Sequence, residues 1–168
     1  DNKNIIDIYV DGVKCIENKP FANDADKING FDVETDEAGK VVLTNQRIHI
    51  YKGYIVMDDF FNNSEIKPIG WEFEKNGGTL SVYTSNNRNV DRYSMQMNTS
   101  QGGIKATKKF NAEGGHLVFE TSVLQPKKRD GITISVNSGN DSVMSVTADG
   151  TNFKYNSQSF YNYMDNVW

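Results

Sequence analysis

Short strand-like segments follow one another along nearly the whole chain, and this repetition limits the fold more than any other feature of the sequence. Segments such as KVVLTNQRIHIY and GITISVNS are rich in β-branched and aromatic residues and partly alternate apolar with polar positions. Glycine next to Asn or Asp separates the segments, as at Asp11-Gly12, Asn29-Gly30, Asp130-Gly131 and Asp149-Gly150. Such pairs supply the positive φ of tight turns. The pattern predicts an all-β fold, a two-sheet antiparallel β-sandwich.

Composition excludes several functional classes. The chain has 168 residues, enough for a single domain with a substantial core. Its net charge is −4, and its basic cluster, Lys127-Lys128-Arg129, lies in a predicted turn, so we expect no nucleic-acid partner. Apolar runs are a few residues long, far short of the roughly 20 that span a bilayer, so we expect no membrane insertion.

Alternation along three predicted strands divides their residues between a core face and a polar face. The residues expected to face the core are Tyr93, Met95, Met97, Leu117, Phe119, Thr121, Val123, Ile132, Ile134 and Val136. The polar positions between them include Arg92, Ser94, Gln96, Glu120 and Asn137. They form either a plain solvated sheet face or a surface that holds a ligand, and the sequence leaves both possibilities open.

The segment KYNSQSFYNY is too polar for a core strand and too aromatic for an ordinary loop. Sugar binding on a β-sandwich needs flat aromatic side chains for pyranose rings, flanked by planar hydrogen-bonding groups. We therefore predict ligand contacts from the aromatic residues Tyr83, Tyr155, Phe160, Tyr161 and Tyr163, with Arg92, Gln96 and Glu120 as polar partners. The same aromatic residues would also suit a buried seam between modules or subunits.

The sequence carries no pattern of catalytic residues that we recognise. Acid–base catalysis needs two acidic groups held a few ångströms apart, but Asp58 and Asp59 are adjacent and would point to opposite faces of a strand. His49 and His116 are the two histidines, and no nucleophile elbow accompanies them. We therefore expect a protein that is not an enzyme.

Parts of the chain resemble the laminin-G-like, concanavalin-type jelly-roll modules of secreted bacterial polysaccharide-degrading enzymes and surface proteins. The stretch VMDDFFNNSEIKPIGWEF resembles the opening of such a module, where a strand ends in Asp-Asp-Phe and a Trp follows. DNVW at the C-terminus and DNKNIIDIYVDG at the N-terminus resemble elements of its later part. Residues 1–53 thus resemble the last third of a module and residues 54–168 its first two-thirds. The resemblance implies one concanavalin-like jelly roll over residues 1–168 with rotated strand order, by permutation or because the chain bridges tandem modules.

The resemblance also implies a function, a location and a cofactor. It implies a non-catalytic carbohydrate-binding module of an extracellular, multimodular bacterial protein, whose partner is a plant cell-wall or similar polysaccharide. The alternative is a structural repeat of a bacterial surface protein or fibre, which shares strands with neighbouring modules or copies of itself. Such modules often hold a structural calcium ion, for which Asp58 or Asp59 would supply a ligand; an Asx turn is the other interpretation of this pair.

Overall fold

The computed structural model describes residues 5–10, 13–23, 25–36, 39–59, 68–76, 80–85, 93–99, 101–125 and 130–164. These residues form strands and no helix, which confirms the all-β prediction, and they accordingly contain no helix able to cross a membrane. The strands are β1 (Ile5–Val10), β2 (Val13–Pro20), β3 (Ile28–Thr35), β4 (Gly39–Ile50), β5 (Ile55–Asp59), β6 (Trp71–Asn76), β7 (Leu80–Ser85), β8 (Ser94–Thr99), β9 (Gly103–Glu113), β10 (Leu117–Leu124), β11 (Asp130–Ser138), β12 (Asp141–Asp149), β13 (Asn152–Tyr155) and β14 (Gln158–Asn162).

The described strands form three antiparallel sheets. β1 and β2 make a two-stranded sheet, and a five-stranded sheet has the order β10-β4-β8-β7 with β5 also paired to β4. The seven-stranded sheet has the order β14-β13-β12-β11-β3-β9-β6. Both larger sheets combine strands from residues 1–53 with strands from residues 54–168, because β3 lies between β9 and β11 while β4 pairs with β5, β8 and β10.

The two larger sheets share one hydrophobic core. The ring of Phe31 on β3 is fully buried, with its centroid 4.6 Å from that of Phe119 on β10 and 5.9 Å from that of Trp71 on β6. Since Phe31 belongs to the seven-stranded sheet and Phe119 to the five-stranded sheet, this contact packs one sheet against the other. Further core residues come from both sheets: Val33, Val41, Leu43, Ile48, Met95, Met97, Ile104, Ala106, Ile132 and Ile134. The architecture is therefore sandwich-like.

Period-two alternation predicted the core-facing residues correctly. The apolar residues expected inside are either buried in the core or packed against it: Tyr93, Met95, Met97, Leu117, Phe119, Val123, Ile132, Ile134 and Val136. Thr121 is partly buried, and its hydroxyl accepts a hydrogen bond from the amide of Gln46. The expectation that the polar positions are open to solvent is wrong for Ser94 and Gln96 on β8 and for Asn137 on β11, which are buried. Gln96 stands opposite Val42, which is also buried, so both faces of β8 are closed at this point.

Of the turns predicted from Asn-Gly and Asp-Gly pairs, the structure contains the one at Asp149-Gly150 and lacks the one at Asn29-Gly30. Asp149 Oδ2 lies 2.6 Å from Lys154 Nζ, and its Oδ1 accepts hydrogen bonds from the N–H groups of Thr151 and Asn152 at 3.0 and 2.7 Å. These contacts fix the turn between β12 and β13 and lower the pKa of Asp149 to about 2. The turn predicted at Asn29-Gly30 is wrong, because β3 continues through both residues while pairing with β9 and β11.

The hairpin of β1 and β2 covers the aromatic end of the seven-stranded sheet. Ile16 on β2 is buried in the common core, and Ile8 and Cys15 pack against that core. β2 contacts β14, and the phenol of Tyr155 on β13 donates a hydrogen bond to the carbonyl of Pro20 at 3.4 Å. The end of β2 thus lies against β13 and β14.

Replacing Phe31 by alanine should destabilise the protein by about 3–5 kcal/mol, because it removes the ring that joins the two sheets and leaves a cavity. Urea unfolding measures this loss as a shift of the transition midpoint at constant slope. Ile69→Ala serves as the control: its side chain is 74% exposed. The control should change the free energy of unfolding by less than about 0.5 kcal/mol. A similarly small effect of Phe31→Ala would show that the sheets do not depend on this contact.

Candidate functional site

Three of the described residues that the sequence selected as ligand contacts are buried. Tyr155 and Tyr163 are 3% and 6% exposed, and Gln96 is 2% exposed. Tyr161 is half-buried, with its ring stacked on Phe153 at a centroid distance of 6.5 Å. An open polar position at Gln96 is therefore wrong, whereas Tyr155 and Tyr163 agree with the buried seam, one of the two roles that the sequence leaves open for them. Tyr155 is buried because the end of β2 covers it and accepts its hydrogen bond.

The other selected residues divide between the described and the undescribed part of the chain. Arg92 and the side chains of Tyr83 and Asp59 lie outside the described residues. Glu120 is exposed on β10, and Asp58 is partly exposed on β5. Both of these strands pair with β4, and both acidic residues stand opposite Arg47. The five-stranded sheet thus places Glu120, a predicted ligand contact, and Asp58, a predicted metal ligand, on the two sides of Arg47.

β4 presents polar side chains on the side away from the core. Gln46 and Ile48 are buried, and the amide of Gln46 donates to Thr121 Oγ1 on β10 at 2.9 Å. Because successive side chains of a strand alternate between faces, Arg47 and His49 project to the opposite side. Tyr51 follows in the turn after the strand. We name the group formed by Arg47, His49, Tyr51, Asp58, His116 and Glu120 the β4 surface strip.

One ion pair and one longer histidine–carboxylate contact cross from β4 to its neighbours. The guanidinium of Arg47 donates to Asp58 Oδ2 at 3.3 Å, and His49 Nδ1 lies 3.9 Å from Glu120 Oε2. Arg47 therefore lies between an acidic residue on β5 and another on β10. All four side chains keep part of their surface in contact with solvent, between 21% for Asp58 and 55% for Glu120.

Strand irregularities lie on either side of this group. The β10–β4 register shifts between Glu120 and Ser122, where β4 contains one extra residue, and the β4–β5 register shifts between Ile48 and His49. A bulge bends its strand and changes the direction of side chains, and bulges are frequent beside binding sites. Here they fix which residues of β5 and β10 stand opposite Arg47.

Exposed aromatic rings stand at the turn end of the strip. Tyr51 and Tyr54 are 50% and 61% exposed. The Tyr51 ring stacks on the imidazole of His116, with centroids 4.4 Å apart and planes inclined by 23°. The backbone N–H of Tyr51 donates a hydrogen bond to the backbone carbonyl of His116 at 2.7 Å. Lys52 Nζ lies 5.3 Å from the Tyr51 centroid. A hydrogen bond with Glu113 raises the pKa of the Tyr54 phenol.

Gly53 makes this turn possible. Its N–H donates to the Ile50 carbonyl at 2.7 Å, and Ile50 N–H donates to the Tyr54 carbonyl at 3.0 Å. A Cβ atom at position 53 would lie 2.8 Å from Ile50 Cβ, which is closer than real side chains approach. The turn therefore needs glycine, and it holds Tyr51 and Tyr54 at the sheet end where His116 also lies.

Some polar atoms of the strip have unused hydrogen-bonding capacity. Asp58 Oδ1 and His49 Nδ1 are among the buried atoms with no hydrogen-bond partner among the described residues. A buried polar atom without a partner costs about 1–3 kcal/mol. The side chain of Asp58 is 21% exposed and its carboxylate accepts hydrogen bonds, so a ligand that carries hydroxyl donors suits this position.

Calcium fits poorly with the described part of the strip. Ca²⁺ takes roughly six to eight oxygen ligands, mostly carboxylates and carbonyls. Asp58 already pairs with the guanidinium of Arg47, whose positive charge opposes a cation at the same carboxylate. Over the described ranges, no three acidic, histidine or cysteine side chains lie close enough to hold a metal together. The prediction that Asp58 or Asp59 binds calcium remains untested.

Sequence reasoning missed most of the strip. Arg47, His49 and Tyr51 occur at every second position of one segment, which is a visible signal for one strand face. Asp58 and Glu120 were selected, but for two separate sites. Nothing in the linear order indicates that β5 and β10 flank the same stretch of β4, because that depends on pairing between distant strands.

Comparisons with known proteins assign the strip to no family. No protein-family model matches the chain, and neither a curated protein nor a solved structure matches it. The resemblance to laminin-G-like modules consequently remains a prediction that depends on short motifs. A proposed function therefore depends on the chemistry of the chain's own residues.

A calcium ion at Asp58 would have to displace the guanidinium of Arg47, so we expect any effect of calcium on the thermal unfolding midpoint to be the same within about 1 °C in the wild type and in Asp58→Asn. The measurement compares the protein in a few millimolar CaCl₂ with the protein in EDTA. MgCl₂ at the same ionic strength is the control for general salt effects. A calcium-specific rise of several degrees that Asp58→Asn abolishes would contradict this expectation and place a metal site at β5.

Proposed function

We propose that this chain is a non-catalytic carbohydrate-binding module and that the β4 surface strip holds the sugar. The observation that carries the proposal is the exposed ring of Tyr51 at the end of a row of partly exposed, planar polar groups. A pyranose has apolar C–H faces that pack on aromatic rings and hydroxyls that pair with planar polar side chains. The strip offers both kinds of contact on one side of a sheet.

Each part of the strip has a distinct role in this proposal. Tyr51, held by its stack on His116, provides the surface on which the sugar packs, and the flexible Lys52 side chain moves aside. Asp58 and Glu120 accept hydrogen bonds from sugar hydroxyls, and Arg47 donates one. The Arg47–Asp58 ion pair and the His49–Glu120 contact keep these planar groups in place before the ligand arrives, which lowers the entropy lost on binding.

The charge of the strip favours a neutral sugar. Asp58 pairs with the guanidinium of Arg47 at 3.3 Å and balances its positive charge, and the exposed Glu120 adds a second carboxylate to the strip. A uronic acid would bring a further negative charge next to the exposed Glu120. We therefore propose neutral cell-wall polysaccharides as the partner class, with affinity that changes little with salt because the contacts do not depend on long-range charge.

The proposal also includes the finer fold and the setting of the protein. A concanavalin-like jelly roll with rotated strand order is supported by the two larger sheets that share a core and by the combination of residues 1–53 with residues 54–168 in both sheets. The quoted motifs support an extracellular, multimodular bacterial protein.

Tyr51→Ala should weaken binding to neutral plant polysaccharides at least about 10-fold, since a central aromatic contact contributes roughly 2 kcal/mol or more. Affinity electrophoresis on a panel of neutral and acidic polysaccharides measures the effect, at two salt concentrations. The matched control is Tyr9→Ala, which removes a tyrosine that is 52% exposed on the β1–β2 hairpin. The control should bind like the wild type.

Other outcomes would contradict the proposal in identifiable ways. Binding that survives Tyr51→Ala and Asp58→Ala but is lost in Tyr161→Ala would place the sugar on β13 and β14. Preference for acidic polysaccharides with strong salt dependence would contradict the neutral ligand class. An absence of binding to every polysaccharide in the panel would refute the carbohydrate-binding function itself.

A further inference from the structure

Both histidines of the chain lie in the β4 surface strip. The sequence contains two of them, His49 on β4 and His116 immediately before β10. Histidine is the side chain type that ordinarily changes its charge between about pH 5 and pH 8. Acidification across this range therefore adds positive charge to the strip at two positions, one at each end of its contact between β4 and β10.

His49 faces one negative charge across the sheet. Its Nδ1 atom has no hydrogen-bond partner among the described residues and lies 3.9 Å from Glu120 Oε2 on β10. On β4 itself, Arg47 projects from the same face and is already paired with Asp58 of β5. The residues directly opposite His49 in the two ladders carry no charge: Val118 on β10 and Ile55 on β5.

His116 faces the β4–β5 turn on one side and the first hairpin on the other. Its imidazole stacks on the ring of Tyr51. Asp7 on β1 lies near enough to His116 for their charges to interact. Lys14 on β2 pairs with Asp7 at 3.0 Å and balances that carboxylate. His116 is exposed, so a ligand that packs on Tyr51 also comes close to this imidazole.

The charge of the strip changes sign with the two histidines. When both are neutral, Arg47 contributes one positive charge and Asp58 and Glu120 contribute two negative charges, so one negative charge is in excess. When both are protonated, three positive charges oppose the same two carboxylates, and one positive charge is in excess. Lys52 and Glu113, which contact the two tyrosines of the adjacent turn, carry opposite charges that cancel.

We propose that acidification extends the ligand class of the strip to acidic polysaccharides, because protonated His49 and His116 attract the uronic acid carboxylates that the strip disfavours at neutral pH. This inference rests on the proposed function, since it uses the same sugar site. Carboxyl groups ordinarily titrate near pH 4 or below, so uronic acids remain charged at about pH 5.5. One opposite charge at about 4 Å strengthens binding roughly 5-fold in water, and two histidines act together here.

Isothermal titration calorimetry with an oligogalacturonate and with a neutral plant oligosaccharide tests the inference at about pH 7.5 and about pH 5.5. The affinity of the wild type for the oligogalacturonate should rise at least about 10-fold on acidification and should fall again when salt is added, because the new attraction is between charges. The affinity for the neutral oligosaccharide should change by less than about 3-fold, since a surface contact between a protonated histidine and Glu120 is weak.

Histidine variants identify the groups that cause the gain. Glutamine is planar and polar but carries no charge, so His49→Gln and His116→Gln should each remove part of the gain, and the double variant should remove all of it. The readout is the ratio of the oligogalacturonate affinities at the two pH values, which a general loss of sugar affinity does not change. Lys109→Gln is the matched control: it removes a positive charge from an exposed position of the seven-stranded sheet and should leave the ratio as in the wild type.

The possible failures are distinguishable. A wild type that binds the neutral oligosaccharide but gains no affinity for the oligogalacturonate would overturn this inference and leave the proposed function standing. No binding of either ligand at either pH would overturn both. An equal ratio in the wild type and in the double variant would mean that other groups cause the pH effect, which also contradicts the inference. The wild-type measurement decides by itself if the double variant does not fold.

Discussion

The contact between the Phe31 and Phe119 rings joins the two larger sheets, and the candidate site depends on it. Phe119 packs against the core, and its neighbour Glu120 points to the other side of the same strand. The same alternation places Ile48 and Met57 in the core and Arg47 and Asp58 on the opposite face. Core packing on one side of the five-stranded sheet therefore holds the polar groups on its other side in a fixed arrangement, which a binding site needs.

The aromatic residues of β13 and β14 agree with one of the two roles that the sequence predicts for them. The sequence left two roles open for these side chains, a sugar-contacting surface and a buried seam. Tyr155 and Tyr163 are buried, and the β1–β2 hairpin covers this end of the sheet. In the arrangement described here they form a seam between two parts of the same chain. Tyr51 and Tyr54, at the β4–β5 turn, are in contrast exposed to solvent.

The fold was more predictable than the site, for physical reasons. Period-two alternation depends on local geometry, so the all-β class and the inward positions of Met95, Phe119 and Ile134 followed from short segments. Burial of the polar Gln96 and continuation of β3 through Gly30 depend on which strands lie alongside, and no short segment contains that information. The β4 surface strip likewise combines residues from three strands whose registers are set by bulges.

Chemical-shift mapping tests the central claim most directly, because it locates the ligand without altering the protein. The ¹⁵N-labelled chain is titrated with a soluble oligosaccharide from the neutral polysaccharide that it binds best. The account predicts that the largest amide shifts cluster at Arg47, His49, Tyr51, Asp58, His116 and Glu120, on the outer side of the five-stranded sheet. Shifts that cluster instead on β12–β14, or on the outer side of the seven-stranded sheet, would contradict it.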